Sequence, residues 1–123
     1  MSTLIVGIAL TGLALAQRTA APEPELSVIS ARLGACAADF TVTEASGQPV
    51  YSATVHVRIR YGFLGVKRMD LEVGTSSDGK ARVEGLPAKV RPLLYDVSKG
   101  DKTSTVEQDV ANDCHATYAV TLR

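Results

Sequence analysis

Beyond residue 30, apolar and polar positions alternate with a period of two through most of the chain. Successive side chains of a strand point to opposite faces, so this alternation marks half-buried strands; no segment there holds a 3.6-residue helical period. The clearest case is Val50 to Tyr61. Ala53, Val55, Val57 and Ile59 share one face there, and Thr54, His56, Arg58 and Arg60 share the other. Ala35 to Glu44 reads as a first strand, with Phe40 and Val42 alternating with Thr41 and Thr43. Lys67 to Thr75 sets Met69, Leu71 and Val73 inward against Arg68, Asp70 and Glu72. Further strands are predicted at Ala81 and Val83, over Val90 to Val97, over the polar Thr103 to Val110, and through Tyr118, Val120 and Leu122. Pro92 suggests that the strand it opens begins at a sheet edge.

Turn residues punctuate these strands at Gly47-Gln48-Pro49, Tyr61 to Gly65, Ser76-Ser77-Asp78-Gly79, Gly85-Leu86-Pro87 and Ser98 to Lys102. Glycine supplies positive φ, and Asp78 is expected to cap its turn. About seven short strands with turns between them predict an all-β, antiparallel, immunoglobulin-like β-sandwich. The chain has no Trp, so the Cys–Trp–Cys arrangement of antibody domains is missing.

The first residues break the pattern. An apolar run from Leu4 ends in Ala14-Leu15-Ala16, an A-x-A pattern of the kind cut by signal peptidase. The run spans 13 residues, short of the roughly 20 that cross a bilayer as a helix. It predicts a signal helix cleaved before Gln17, with an uncleaved anchor or a buried segment as the other readings. Ala20-Ala21-Pro22-Glu23-Pro24-Glu25 favours an extended linker. The expected organisation is a signal peptide at 1–16, a flexible linker at 17–32 and one sandwich domain at 33–123. The implied location is extracytoplasmic, periplasmic or secreted.

With 123 residues the chain holds one ordinary domain. Thirteen Lys plus Arg balance thirteen Asp plus Glu, so no global attraction to nucleic acid is expected. Cys36 and Cys114, an even pair in an exported chain, predict a disulfide; two separate buried thiols are the alternative. No metal site is expected, because two distant cysteines with only His56 and His115 do not cluster as ligands. Cys114 and His115 are adjacent on a strand and point apart, which argues against a nucleophile–base pair.

The turn and core motifs resemble a known group. Gly47-Gln48-Pro49-Val50, Ala53-Thr54-Val55, Ser77-Asp78-Gly79-Lys80-Ala81 and Gly85-Leu86-Pro87 look like those of the carboxypeptidase regulatory-like domain. That family has a seven-stranded transthyretin-like (prealbumin-like) sandwich, and the resemblance covers Asp39 to Leu122. It implies the fold and brings no catalytic residues. Two places depart from it. The hairpin from Tyr61 to Lys67 is longer, and Ala88-Lys89-Val90-Arg91-Pro92 stands where a glycine and an aromatic residue are expected. A neighbouring transthyretin-like family hydrolyses 5-hydroxyisourate and ends in Tyr-Arg-Gly-Ser. This chain ends Val120-Thr121-Leu122-Arg123, so that activity is not carried over.

These features lead to the expectation of a non-enzymatic exported module for protein interaction or scaffolding, with no catalytic residues and no cofactor. A small-ligand or carbohydrate-binding domain and an oligomeric transthyretin-like hydrolase are the alternatives. The expected partner is a protein or cell-envelope component, without membrane insertion of the mature domain. A homo-oligomer could form through the edge strand Thr103 to Val110, although Lys102, Glu107 and Asp109 guard against pairing. Two surfaces are candidates for contact. Tyr61, Phe63 and Leu64 form an interaction loop, unless they fold back over the open end of the sandwich. His56, Arg58 and Arg60 form either an anion-binding strip or a solvated row paired with Asp70 and Glu72 of the next strand.

Overall fold

A computed structural model describes residues 26–123; the expected signal peptide at 1–16 lies outside them. Among the described residues eight strands form: β1 (Ser27–Ser30), β2 (Cys36–Glu44), β3 (Thr54–Tyr61), β4 (Lys67–Gly74), β5 (Lys80–Leu86), β6 (Leu93–Lys99), β7 (Lys102–Gln108) and β8 (His115–Leu122). A short 3₁₀ turn, Phe63–Gly65, joins β3 to β4. One sheet has the order β1-β5-β2-β8, and the other β4-β3-β6-β7. The β-sandwich expected from alternation is therefore present, with eight strands rather than seven.

The apolar faces meet between the sheets. Phe40, Val42, Ala81, Val83, Val120 and Leu122 come from one sheet; Val55, Val57, Ile59, Leu71, Tyr95 and Val97 come from the other. Burial alternates residue by residue along β3, as its sequence requires. Phe40 packs edge-on against Tyr95, their rings 4.8 Å apart, and stacks on Tyr118 at 5.5 Å. Such aromatic contacts add to plain area burial.

The structure departs from the expected pattern in several places. Ser27–Ser30, inside the expected linker, pairs in parallel with β5 from Ser27↔Ala81 to Ser30↔Glu84. β2 and β8 also run parallel, so the sheet they share is mixed rather than antiparallel. The long strand expected from Val50 begins only at Thr54. The buried Thr75 hydroxyl explains the delay: it donates to Val50 O at 2.6 Å and accepts from Ala53 N at 2.8 Å, holding Val50–Ala53 as a bracket outside the ladder. β6 lies inside its sheet, not at an edge. Pro92 is tolerated because the strand starts one residue later, at Leu93.

The cap of the β4–β5 turn is also not the one expected. Ser76 Oγ accepts from the N–H groups of Asp78 and Lys80, both at 3.3 Å, while Asp78 stays exposed. Gly79 sits at φ 75°, and a Cβ there would run into the backbone of Val42 and Val50 and the ring of Pro49. Gly79→Ala is expected to cost about 2–3 kcal/mol through strained backbone and collision. A urea titration measures it; a loss within a few tenths of a kcal/mol would show that the turn relaxes freely.

The predicted staple forms: Cys36 and Cys114 are disulfide-bonded. It tethers the start of β2 to the residue just before β8. A bond of this kind is characteristic of oxidising environments.

Candidate functional site

The candidate site lies on the outer face and at one end of the β4-β3-β6-β7 sheet. Outward positions of β3 carry His56, Arg58 and Arg60 because inward positions carry the core valines and Ile59. Antiparallel register sets His56 opposite Glu72, Arg58 opposite Asp70, and Arg60 opposite Arg68.

These three side chains differ in their partners. Arg58 Nε donates to Asp70 Oδ1 at 3.0 Å. His56 Nε2 lies 3.2 Å from the same oxygen, and its Nδ1 lies 3.9 Å from Asp96 Oδ2. The hydrogen bond from Arg58 is the main cause that holds the Asp70 carboxyl below its ordinary range, with the charges of Arg58 and His56 acting the same way. The paired-row reading thus describes His56 and Arg58. It does not describe Arg60, which faces another cation and makes no ion pair among the described residues. Like charges directly opposite on a sheet repel, so Arg60 and Arg68 are left seeking a counter-charge.

The sheet opens beside Arg60. β3 and β6 are paired from Thr54↔Ser98 to Val57↔Tyr95 and no further, although both strands continue. Their separated ends leave a groove of about 510 Å³ lined by His56, Arg58, Arg60, Arg91, Pro92, Leu93, Leu94 and Asp96. Arg91 enters from the β5–β6 connection, the stretch that departs from the family pattern. Sequence reading passed over Arg91 and the nearby Lys89; the unexpected Ala88-Lys89-Val90-Arg91-Pro92 run was the signal that could have found them. A second hollow of about 690 Å³ continues past Arg60 to Lys89, Val90, Arg91, Ala111 and Leu64.

The hairpin tip projects from the same end. Phe63, Leu64 and Val66 are 83%, 82% and 71% exposed, so the tip does not fold back over the sandwich. Tyr61 is half-buried against the core. Leu64 adopts φ 57° and ψ 19°, between Gly62 at φ 81° and Gly65 at φ 66°. Holding a bulky residue in the left-handed region costs on the order of 1–3 kcal/mol.

No family model matches this chain, and no curated protein matches it. Solved structures do. The fold is similar to catechol 1,2-dioxygenase from Pseudomonas arvilla at TM-score 0.53 and 11% identity, covering 79% of this chain and 56% of that one. Catechol 1,2-dioxygenase from Acinetobacter sp. aligns at TM-score 0.45 and 16% identity, over 80% of this chain and 58% of that one. A 3-chlorocatechol 1,2-dioxygenase from Rhodococcus opacus gives 0.43 and 13%, over 78% and 58%. This chain spans less than two thirds of the length of each. Identity this low shows a shared β-sandwich and not a shared activity.

The comparison corrects the functional expectation. The non-enzymatic interaction or scaffolding module rests on the expected export signal, the disulfide and the lack of a catalytic constellation in the sequence, yet a solved structure that shares the fold is an enzyme. The sandwich therefore gives no ground for a non-enzymatic role. A sugar platform lacks its aromatics, because Tyr95 is buried and Tyr118 stacks on Phe40 in the core.

Dioxygen chemistry is carried by a metal or organic cofactor. Among the described residues no three His, Cys, Asp or Glu side chains converge to hold a metal ion. His56 and His115 lie on different sheets, and both cysteines are consumed by the disulfide. These residues do not fit such a centre, and no step through one is derived.

Proposed function

We propose that the groove between the separated ends of β3 and β6 is an oxyanion-recognition site, with Arg60 and Arg91 as its principal donors and Arg58 at its wall. The observation that carries this reading is one shared groove lined by Arg60 and Arg91, neither of which has an acidic partner among the described residues. Guanidinium groups present planar, permanently charged donors that suit carboxylate and phosphate. Leu93 and Leu94 supply an apolar wall, and Asp96 at the far end biases the anion towards Arg60. The apolar run ending in Ala14-Leu15-Ala16, the disulfide and the turn motifs that resemble those of carboxypeptidase regulatory-like domains support an extracytoplasmic setting. In that setting residues 1–16 would be removed, and the sandwich from β1 onwards, residues 27–123, would form the working domain.

Titrating the chain with inorganic phosphate by calorimetry or NMR tests the site. Binding is expected, and Arg60→Gln or Arg91→Gln should weaken it about tenfold, the value of one charge-assisted hydrogen bond. Equal binding by wild type and both variants would overturn the assignment. Catechol, named in the fold neighbours, is a second probe. Tighter binding of neutral catechol than of phosphate would also overturn it.

A further inference from the structure

Five cationic residues and three exposed apolar residues share one end of the molecule, and nothing within the fold explains their company. Arg60, Leu64, Gly65, Val66 and Arg68 line one surface hollow, and Arg60, Leu64, Lys89 and Arg91 meet around the next. Lys67 opens β4 beside the tip, opposite Tyr61. None of Arg60, Lys67, Arg68, Lys89 and Arg91 makes an ion pair among the described residues. Asp109, two residues before Ala111 of that second hollow, is turned back onto its own loop. Its carboxylate accepts from Asn112 Nδ2 at 2.7 Å and from Ala111 N at 3.3 Å.

We infer that this end docks on an anionic lipid surface, with Phe63, Leu64 and Val66 entering the headgroup boundary and the five cations meeting lipid phosphates around them. The inference rests on the proposed oxyanion site only through Arg60 and Arg91, which belong to both. Charge complementarity selects this occupant. An apolar wedge ringed by unpaired cations matches a surface that is apolar below and negative above. A protein partner would need carboxylates around a hydrophobic pocket to match the same pattern. Each cation near an anionic membrane is worth about a fivefold gain in partitioning, so five act together strongly. Docking here is peripheral: among the described residues no helix is long and apolar enough to cross a membrane.

The strained tip fits this role. A 3₁₀ turn, closed by Gly65 N to Gly62 O at 3.0 Å and Val66 N to Phe63 O at 3.3 Å, presents the apolar side chains outward. A turn already formed before contact lowers the ordering cost of binding.

Co-sedimentation of the full chain with vesicles of phosphatidylcholine, with and without about one-third phosphatidylglycerol, tests it. The expected result is at least tenfold stronger binding to the anionic vesicles, falling with added salt. The apolar run near the N-terminus would attach to either lipid alike, so the difference between compositions is the readout. Phe63→Ser with Leu64→Gly should abolish that difference. The same variant should keep wild-type phosphate binding, since neither residue lines the groove between the separated ends of β3 and β6. It should also melt no lower, because glycine relieves the left-handed backbone at position 64. No preference for anionic vesicles, or an unchanged preference in the variant, would overturn the inference. Phosphate binding that survives in either case would leave the oxyanion site standing.

Discussion

Removing the Cys36–Cys114 bond, by reduction or as Cys36→Ala with Cys114→Ala, is expected to lower stability by about 4 kcal/mol. The two cysteines are 78 residues apart in sequence. A cross-link of that span removes much of the freedom of the unfolded chain, which is where most of its effect arises. Domains of this size are stable by only about 5–15 kcal/mol, so the loss is a large share of the total. Native geometry adds to it. β2 and β8 run parallel, and parallel neighbours cannot be joined by a tight hairpin. The bond secures the end of that ladder where Ala37 N donates to Cys114 O at 2.7 Å. Urea titrations with and without reductant measure the effect, and the slope should rise on reduction as the unfolded state expands. A midpoint unmoved by reductant would show that the ladder alone holds these ends together.

How much of this was legible in the sequence follows from what each feature depends on. β2 to β5 announce themselves because each buries one face, and burial of one face writes a period of two. β1 does not. Ser27–Ser30 is four residues long, exposed at alternate positions and preceded by prolines, so it looks like more linker. Only its partner β5 makes it a strand. Parallel pairing of β2 with β8 is invisible for a similar reason, since side-chain alternation is the same in either direction. The register of β3 against β4 could be anticipated from a hairpin, which correctly brought Arg58 to Asp70. The separation of β3 from β6 could not, because it depends on where a distant strand ends. That separation makes the groove, and so Arg91 looked like a misfit in a connection when it is a wall of the site. The resemblance to accessory domains was a reading of turns and core. Turns and core are what unrelated functions on one fold share.

Gln108→Ala is expected to cost about 4 kcal/mol, the combined effect of three stranded polar groups, offset in part by water. Gln108 ends β7 and is fully buried. Its Nε2 donates to Ala37 O at 3.1 Å and to Asp113 O at 2.9 Å, and its Oε1 accepts from Tyr95 Oη at 2.6 Å. One amide therefore ties the second sheet to the first at the point where the disulfide also acts, since Ala37 and Asp113 adjoin Cys36 and Cys114. Burial is the main reason that the Tyr95 phenol is pushed far above its ordinary pKa, so it remains a proton donor at any working pH. Gln108→Glu separates hydrogen bonding from size. The new carboxylate has nearly the same volume but cannot donate to either carbonyl, and it would be buried without a cation; it should therefore destabilise at least as much as alanine at neutral pH. Tyr95→Phe, which strands only Oε1, should cost about 1–2 kcal/mol. Combining Gln108→Ala with removal of both cysteines should lower stability by less than the separate losses added, because both changes free the same two backbone segments. Thermal and urea unfolding of the single and combined variants measure all of this. A Gln108→Glu protein as stable as wild type, or strict additivity with the disulfide, would mean that the amide does not couple the two sheets.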